Sequence, residues 1–359
     1  MGRKQIKKTG SAAKKHWKVS EKVILIVAIL LLLLGGIAIA GRVMVSTRFL
    51  GDSTLQDGQL SADIQTPSEL QGRLLNLLVV GVSDDPEERE STKLTDTIMV
   101  VSVNIEDQKV NILQIPRDTY VGDETANHKI NAIYGQNPDN WDYAGLDGLS
   151  QMIYDQFQVT IDHYVTIQMD GFRDMIDAIG GVTMDVPVDM ELNGTYVEAG
   201  TQTLNGDQAI AVVRTRNVYA NADIGRLQTQ KIFMSALLEK VMSLSVDQMA
   251  SLVPTLLGYM TTDLTVEDCL GLYYLVRGMT SDDITAVTCP GEGVTVSGQS
   301  CWGLYHERTA IILNELFRPF AETPDISSDD LGIYDVVAEP YISEDEDFGL
   351  GTMTDYASE

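Results

Sequence analysis

Apolar residues come in unbroken runs over the first half of the chain, and the runs end at turn residues. LLNLLVVGV (residues 74–82) stops after a glycine, TIMVVSVNI (97–105) follows, and KVNILQIP (109–116) comes after a turn at Glu106 and Asp107. Runs without polar alternation predict central strands buried on both faces, and such strands need helices above and below them. Helical patterning supplies candidates at 146–157, at 170–179, where Gly180 and Gly181 stop it, at 207–213 and at 223–244. VTIDHYVTIQM precedes the second of these as a strand and VTMDVPV follows it. Residues 247–278 add two apolar, helix-patterned segments, ITAVTCP reads as a strand and ERTAIILNELF as a last helix. The predicted class is α/β, a central mixed β-sheet flanked by helices on both faces.

Outside that block the pattern changes. VILIVAILLLLLGGIAIAG (23–41) is 19 residues without a charge. A helix of that length spans roughly 28 Å, close to the hydrocarbon thickness of a bilayer. Residues 1–22 hold eight Lys/Arg and one acid, which predicts a cytoplasmic basic tail, a transmembrane helix and everything beyond it outside. A cleaved signal peptide is the alternative, since Ala38 and Ala40 are small enough for a cleavage site. Residues 42–72 read as a polar extracellular linker, 73–321 as the folded domain with its core at about 74–245, and 322–359 as an acidic, disordered tail.

Charge changes the picture further. From residue 23 onward 17 basic residues face 51 acidic ones, a balance that repels nucleic-acid backbones. Against it stands RTRNVYANADIGRLQTQ (214–230), with Arg214, Arg216 and Arg226. Arginines gathered in an acidic protein need an anionic target to offset their mutual repulsion, and phosphate or pyrophosphate fits. On a helix starting near Asp223, the residues Asp223, Arg226, Gln230, Phe233 and Leu237 share one stripe, polar at its start and apolar beyond. A polar first turn points to a site mouth, where the helix dipole favours anions. GVSDD (81–85), KLTDT (93–97) and IPRDT (115–119) lie near predicted strand ends and add Asp84, Asp96, Arg117 and Asp118, carboxylates for a hard cation and a guanidinium for phosphoryl oxygens. Cys269, Cys289 and Cys301 are odd in number and lack zinc spacing, which leaves room for one disulfide and a free thiol. Four scattered histidines argue against a triad, and His163, in a strand pattern, reads as structural.

DTIMVVSVN, KVNILQIPRDTYV, KINAIYG, IDHYVTIQMDGFRDMIDAIGGV, LNGDQAIAVVRTR and ADIGRLQTQ, in that order over residues 74–240, resemble the LytR-CpsA-Psr family of membrane-anchored phosphotransferases. The resemblance implies transfer of an anionic glycopolymer, of teichoic acid or capsular polysaccharide type, from an undecaprenyl-pyrophosphate carrier to peptidoglycan outside the membrane. It implies Arg117, Arg214, Arg216 and Arg226 on the pyrophosphate, Asp84 and Asp96 on Mg²⁺ or Mn²⁺, and Asp223 and Gln230 orienting arginines or metal water. Asp118 is expected to brace Arg117 rather than to react. An apolar tunnel for the lipid is expected at Phe172, Met175, Ile176, Phe233 and Leu237, where plain core packing is the competing account. Two positions depart from the family: Ser83 stands where its first aspartate usually lies, and Leu94, beside Lys93, replaces a common arginine. A binding protein without chemistry and a lipid pyrophosphatase remain the alternatives; a 22-residue basic tail is too short for a DNA-binding domain.

Overall fold

The computed structural model describes residues 68–82, 93–215, 243–276 and 279–342, with positions 229, 232, 233, 236, 237 and 239–241. The basic tail, the apolar stretch 23–41 and most of the linker lie outside the described residues. Among the described residues no helix is long and apolar enough to cross a membrane.

Strands β1 (Leu74–Val82), β2 (Thr95–Asn104), β3 (Lys109–Ile115) and β4 (His163–Gln168) form the centre of a six-stranded mixed sheet. Helix α1 (Gly145–Phe157) lies between β3 and β4 in the chain, and α2 (Met169–Ala178) follows β4 directly. Next come two hairpin-like pairings, β5 (Val182–Val186) with β8 (Gly200–Leu204) and β6 (Met190–Leu192) with β7 (Thr195–Val197), then α3 (Gly206–Arg214). The chain continues through α4 (Val246–Leu257), β9 (Met260–Thr262), α5 (Val266–Val276), β10 (Ile284–Thr288), the hairpin β11 (Gly291–Val296) and β12 (Gln299–Leu304), and α6 (His306–Phe317). The order across the large sheet is β10-β3-β2-β1-β4-β9.

The uninterrupted apolar runs are explained by burial on two sides. Leu75, Leu77 and Val79 of β1 join Met99, Val101 and Val103 of β2 in one core cluster, with α2, α3, α4 and α5. Their neighbours Leu78, Val80, Ile98 and Val100 face the other cluster, with α1 and α6. Two-residue periodicity therefore splits one apolar run between two cores, and each fully buried Leu, Ile or Phe contributes about 1.5–3 kcal/mol. The expected helices fall in place: α1, α2 and α3 each lie within a residue or two of the predicted spans. Gly180 and Gly181 have φ of +80° and +81°, a left-handed turn that ends α2 and that side-chain-bearing residues resist. Between 229 and 243 every described residue is helical, with Thr229, Phe233, Leu237 and Val241 buried at spacings of four.

The expected free tail is corrected in part. Residues 322–342 lie on the domain: Leu331 and Ile333 are buried in the α1 and α6 cluster, and Ile326 N donates to Asn314 Oδ1 at 2.9 Å. Acidic composition hid a few apolar anchors, which are enough to seat an irregular segment when its backbone groups find partners. Residues 343–359 lie outside the described residues.

His163 sits at the start of β4, where Nδ1 lies 3.0 Å from Asp263 Oδ2, and Tyr164 N donates to Asp263 Oδ1 at 2.9 Å. Burial lowers its pKa, but the Asp263 hydrogen bond and the charges of Asp263, Asp162 and Asp268 outweigh it, so the imidazole titrates above its ordinary range. A raised folded-state pKa gives stability that is fully present below the unfolded value of about 6.5 and is lost as pH rises through the folded one. His163→Gln should therefore cost more stability at pH 5.5 than at pH 8, read by denaturant midpoints at the two pH values; an equal loss at both would remove the charged pair from the account.

Candidate functional site

One end of the large sheet collects the carboxyl ends of β1, β3, β4 and β10 and the amino ends of β2 and β9. Asp96 is placed there by an irregularity. Gly81 pairs with Thr97 and Val82 with Thr95, so Asp96 is the extra residue of a β-bulge. Bulges of this kind re-aim a side chain and end regular pairing. On the other side of β2, Ile98 pairs with Ile115, and continuing that register two residues brings Arg117 next to Asp96.

The two side chains meet there. Arg117 Nη1 donates to Asp96 Oδ1 at 2.5 Å, the carboxylate 9% exposed and the guanidinium 50% exposed. The acid is thus enclosed while its partner keeps a face toward solvent. Asp118 points to Lys129, whose Nζ lies 3.0 Å from Asp118 Oδ1, while Arg117 Nε is 4.0 Å from Asp118 Oδ2. The expectation that Asp118 braces Arg117 is therefore refined: its shorter contact is to Lys129. Charges alternate along the set Asp96, Arg117, Asp118, Lys129, so each cation is held by an acid rather than repelled by its neighbour.

Backbone pairing keeps the set in register. Asn131 N donates to the Arg117 carbonyl at 3.2 Å, Ile130 N to that of Thr119 at 2.9 Å, and Val121 N to that of His128 at 3.0 Å. Trp302 N of β12 donates to the Asp118 carbonyl at 2.7 Å and Tyr120 N to that of Trp302 at 2.9 Å, so the β11–β12 hairpin adds a short pairing to this loop. Asn131 lies in the 3₁₀ turn Ile130–Gly135, the KINAIYG segment. Lys129 was not among the predicted site residues; the signal was in that segment, a lysine just ahead of an apolar turn with no acid beside it in sequence.

Arg214 is exposed at the last position of α3, followed by the buried Thr215. Asp84, Arg216, Asp223, Arg226 and Gln230 lie outside the described residues. Phe172, Met175, Ile176, Phe233 and Leu237 are all fully buried and belong to one cluster, with the rings of Phe172 and Phe233 6.4 Å apart at 59°. Phe172 is in the first turn of α2, at the same end of β4 that faces Asp96 and Arg117.

A divalent cation can be tested against these residues. Asp96 offers a hard oxygen donor at the site, and among the described residues no group of three His, Cys, Asp or Glu side chains makes a metal cage. A carboxylate oxygen at this sheet end is the donor type that fits Mg²⁺, which binds through one or two carboxylates and completes its shell with water and substrate phosphate. The cysteines take no part. Cys269, Cys289 and Cys301 are free and buried, which corrects the allowance for a disulfide. Burial pushes the Cys269 thiol up to about 12 and raises Cys289 further, so neither is a nucleophile near neutral pH.

The sheet end thus brings together an enclosed aspartate, a half-exposed arginine and a lysine paired to Asp118. The chain belongs to the LytR-CpsA-Psr family: the LytR_cpsA_psr family pattern matches residues 49–318. It is 27% identical over 330 residues to the Bacillus subtilis polyisoprenyl-teichoic acid–peptidoglycan teichoic acid transferase TagV, covering 87% of this chain and 81% of that one. It is 30% identical over 264 residues to the cell wall biosynthesis protein LcpA of Corynebacterium glutamicum, spanning 63% of this chain and 50% of LcpA. The crystal structure of Bacillus subtilis TagV superposes with a TM-score of 0.53 over 68% of this chain and 95% of that one, at 27% identity.

Proposed function

We propose that this protein is a membrane-anchored, extracellular phosphotransferase that moves an anionic glycopolymer from a polyprenyl-pyrophosphate carrier to peptidoglycan. The observation that carries the reading is the Asp96–Arg117 pair at the bulged sheet end, in a chain whose family includes proteins named as teichoic acid transferases. An acceptor sugar hydroxyl attacks the phosphorus that bears the glycopolymer. The new P–O bond makes a phosphodiester, the P–O–P bridge breaks, and polyprenyl phosphate leaves with the bridging oxygen.

Arg117, with Arg214, Arg216 and Arg226, neutralises the phosphoryl oxygens as negative charge builds on the leaving phosphate, and Lys129 extends that set from the loop side. Asp96, with Asp84, would hold Mg²⁺, which when bound supplies further charge neutralisation on the phosphates. Asp223 and Gln230 orient the guanidiniums, and a carboxylate of the site accepts the proton of the attacking hydroxyl. The apolar group Phe172, Met175, Ile176, Phe233 and Leu237 lies next to the phosphate end and takes the proximal isoprene units. Residues 23–41 hold the domain at the membrane surface, where the carrier lipid resides.

The test is an assay with the full chain in membranes, a polyprenyl-pyrophosphate-linked teichoic acid donor, peptidoglycan acceptor and Mg²⁺. Glycopolymer joined to peptidoglycan with stoichiometric polyprenyl phosphate is the expected result. Release of polyprenyl phosphate with phosphorylated polymer left in solution would make the protein a hydrolase, and donor binding without turnover would make it a carrier-binding protein.

A further inference from the structure

Residues 326–341 form a strap that crosses the domain beyond residue 318, where the family match ends. Its two ends are fastened. Asn314 binds the Ile326 backbone on both sides, at 2.8 and 2.9 Å, and Gly332 N donates to the Asp155 carbonyl of α1 at 2.9 Å. At the other end buried Arg308 of α6 donates to Glu339 Oε1 at 2.6 Å and to the Pro340 carbonyl at 2.8 Å.

Between those fastenings the strap touches the loop that carries Arg117 and Lys129. The Tyr334 ring lies against Gly122, so closely that a β-carbon there would fall 2.6 Å from Tyr334 Cε1. Gly122 has φ of +64°, a second reason for glycine at that position. Tyr334 also meets the Tyr120 ring edge-on at 5.6 Å, and Tyr120 is bridged to Lys129 through the backbone. Two residues further on, Val336 and Val337 sit over Gly303, next to Trp302, which is bonded to the Asp118 carbonyl. The strap thus supports the loop from behind at Tyr120 and Gly122 and supports the hairpin that pairs with it.

We infer that Tyr334 is a positioning residue: from outside the family-matched segment it holds the 117–129 loop so that Arg117 and Lys129 present a fixed spacing to the pyrophosphate. The inference rests on the proposed pyrophosphate site. Side-chain bonds hold the far part of the loop, Gln136 Nε2 to the Glu124 carbonyl at 3.1 Å and Thr125 Oγ1 to the Lys129 carbonyl at 3.1 Å, whereas Tyr334 bears directly on Tyr120 and Gly122. Losing that support lets this stretch shift, and a misplacement near 1 Å at a phosphate clamp is costly.

The experiment is calorimetric titration of the full chain in detergent with inorganic pyrophosphate and Mg²⁺, joined to hydrogen exchange at the amides of residues 119–122. Tyr334→Ala should weaken pyrophosphate about tenfold and speed exchange at the Tyr120 and Val121 amides, Tyr334→Phe should restore both, and Arg117→Ala should abolish binding. If Arg117→Ala leaves the affinity intact, the site reading itself fails. If Arg117→Ala abolishes binding while Tyr334→Ala binds within twofold of wild type, the site stands and the strap is packing alone. Should Tyr334→Ala not fold, Tyr334→Leu keeps the apolar bulk and decides by the same two readouts: wild-type affinity and exchange in that variant would overturn the positioning role.

Discussion

Arg117→Ala should lower transfer from a polyprenyl-pyrophosphate donor by about 10²–10³-fold, the loss typical of removing one well-placed donor from a developing anion. The stability cost should be small beside that. Arg117 is half exposed, so its own removal gives up little burial, but Asp96 is enclosed and loses the donor at 2.5 Å. A buried acceptor left short of a partner costs about 1–3 kcal/mol, within what a domain of this size tolerates. Arg117→Lys separates charge from geometry. Lysine keeps the cation but cannot hold a carboxylate and face a phosphate with separate nitrogens, so it should recover folding more fully than turnover. Steady-state transfer together with a thermal melt checks the pair of variants, and unchanged turnover in Arg117→Ala with an intact melt would leave the sheet end without its proposed chemistry.

Legibility differed by scale. The strands were readable because a central strand buried on two faces must be apolar at successive positions, and β1, β2 and β3 are. Asp96 and Arg117 were readable as members of motifs, but their contact depends on the bulge at Gly81 and Val82, which no local signal announces. Lys129 escaped because its partner Asp118 is eleven positions earlier and becomes a neighbour only when the loop folds back through the Val121–His128 pairing. Strand β9 has three residues, too few for a period to emerge, and the β11–β12 hairpin, GEGVTV and QSCWGL, carries glycines and polar residues in place of an apolar run. Of the helix stripe, Asp223, Arg226 and Gln230 lie outside the described residues. Phe233 and Leu237 are inward as expected, and the buried line continues backward to Thr229 and forward to Val241. The strap was concealed by its own charge: Asp329, Asp330 and Asp335 surround Leu331, Ile333 and Tyr334, and average composition weighs the acids over the anchors.

Phe172→Ala should be the most destabilising single change at the site, by about 3–5 kcal/mol, as for deletion of a fully buried aromatic ring. Phe172 has no exposed surface, packs against Phe233, and bridges the first turn of α2 to the helical residues between 229 and 243. The size of the loss tells two accounts of this apolar group apart. If the ring is core, truncation leaves a cavity that neighbours cannot fill, and the full cost appears in the absence of lipid. If it lines a path for isoprene units, the helices there part readily, the cost falls below about 1 kcal/mol, and polyprenyl phosphate raises the wild-type melting temperature with the logarithm of its concentration above Kd. Closed packing of Phe172, Met175, Ile176, Phe233 and Leu237 favours the large loss. Since the group is closed, a carrier that seats its first isoprene units here must part α2 from the described helical residues between 229 and 243, so donor binding should slow when the two are cross-linked. Denaturant unfolding of Phe172→Ala with and without long-chain polyprenyl phosphate measures both quantities, and a small loss without lipid would move these side chains from the core to the wall of a lipid channel.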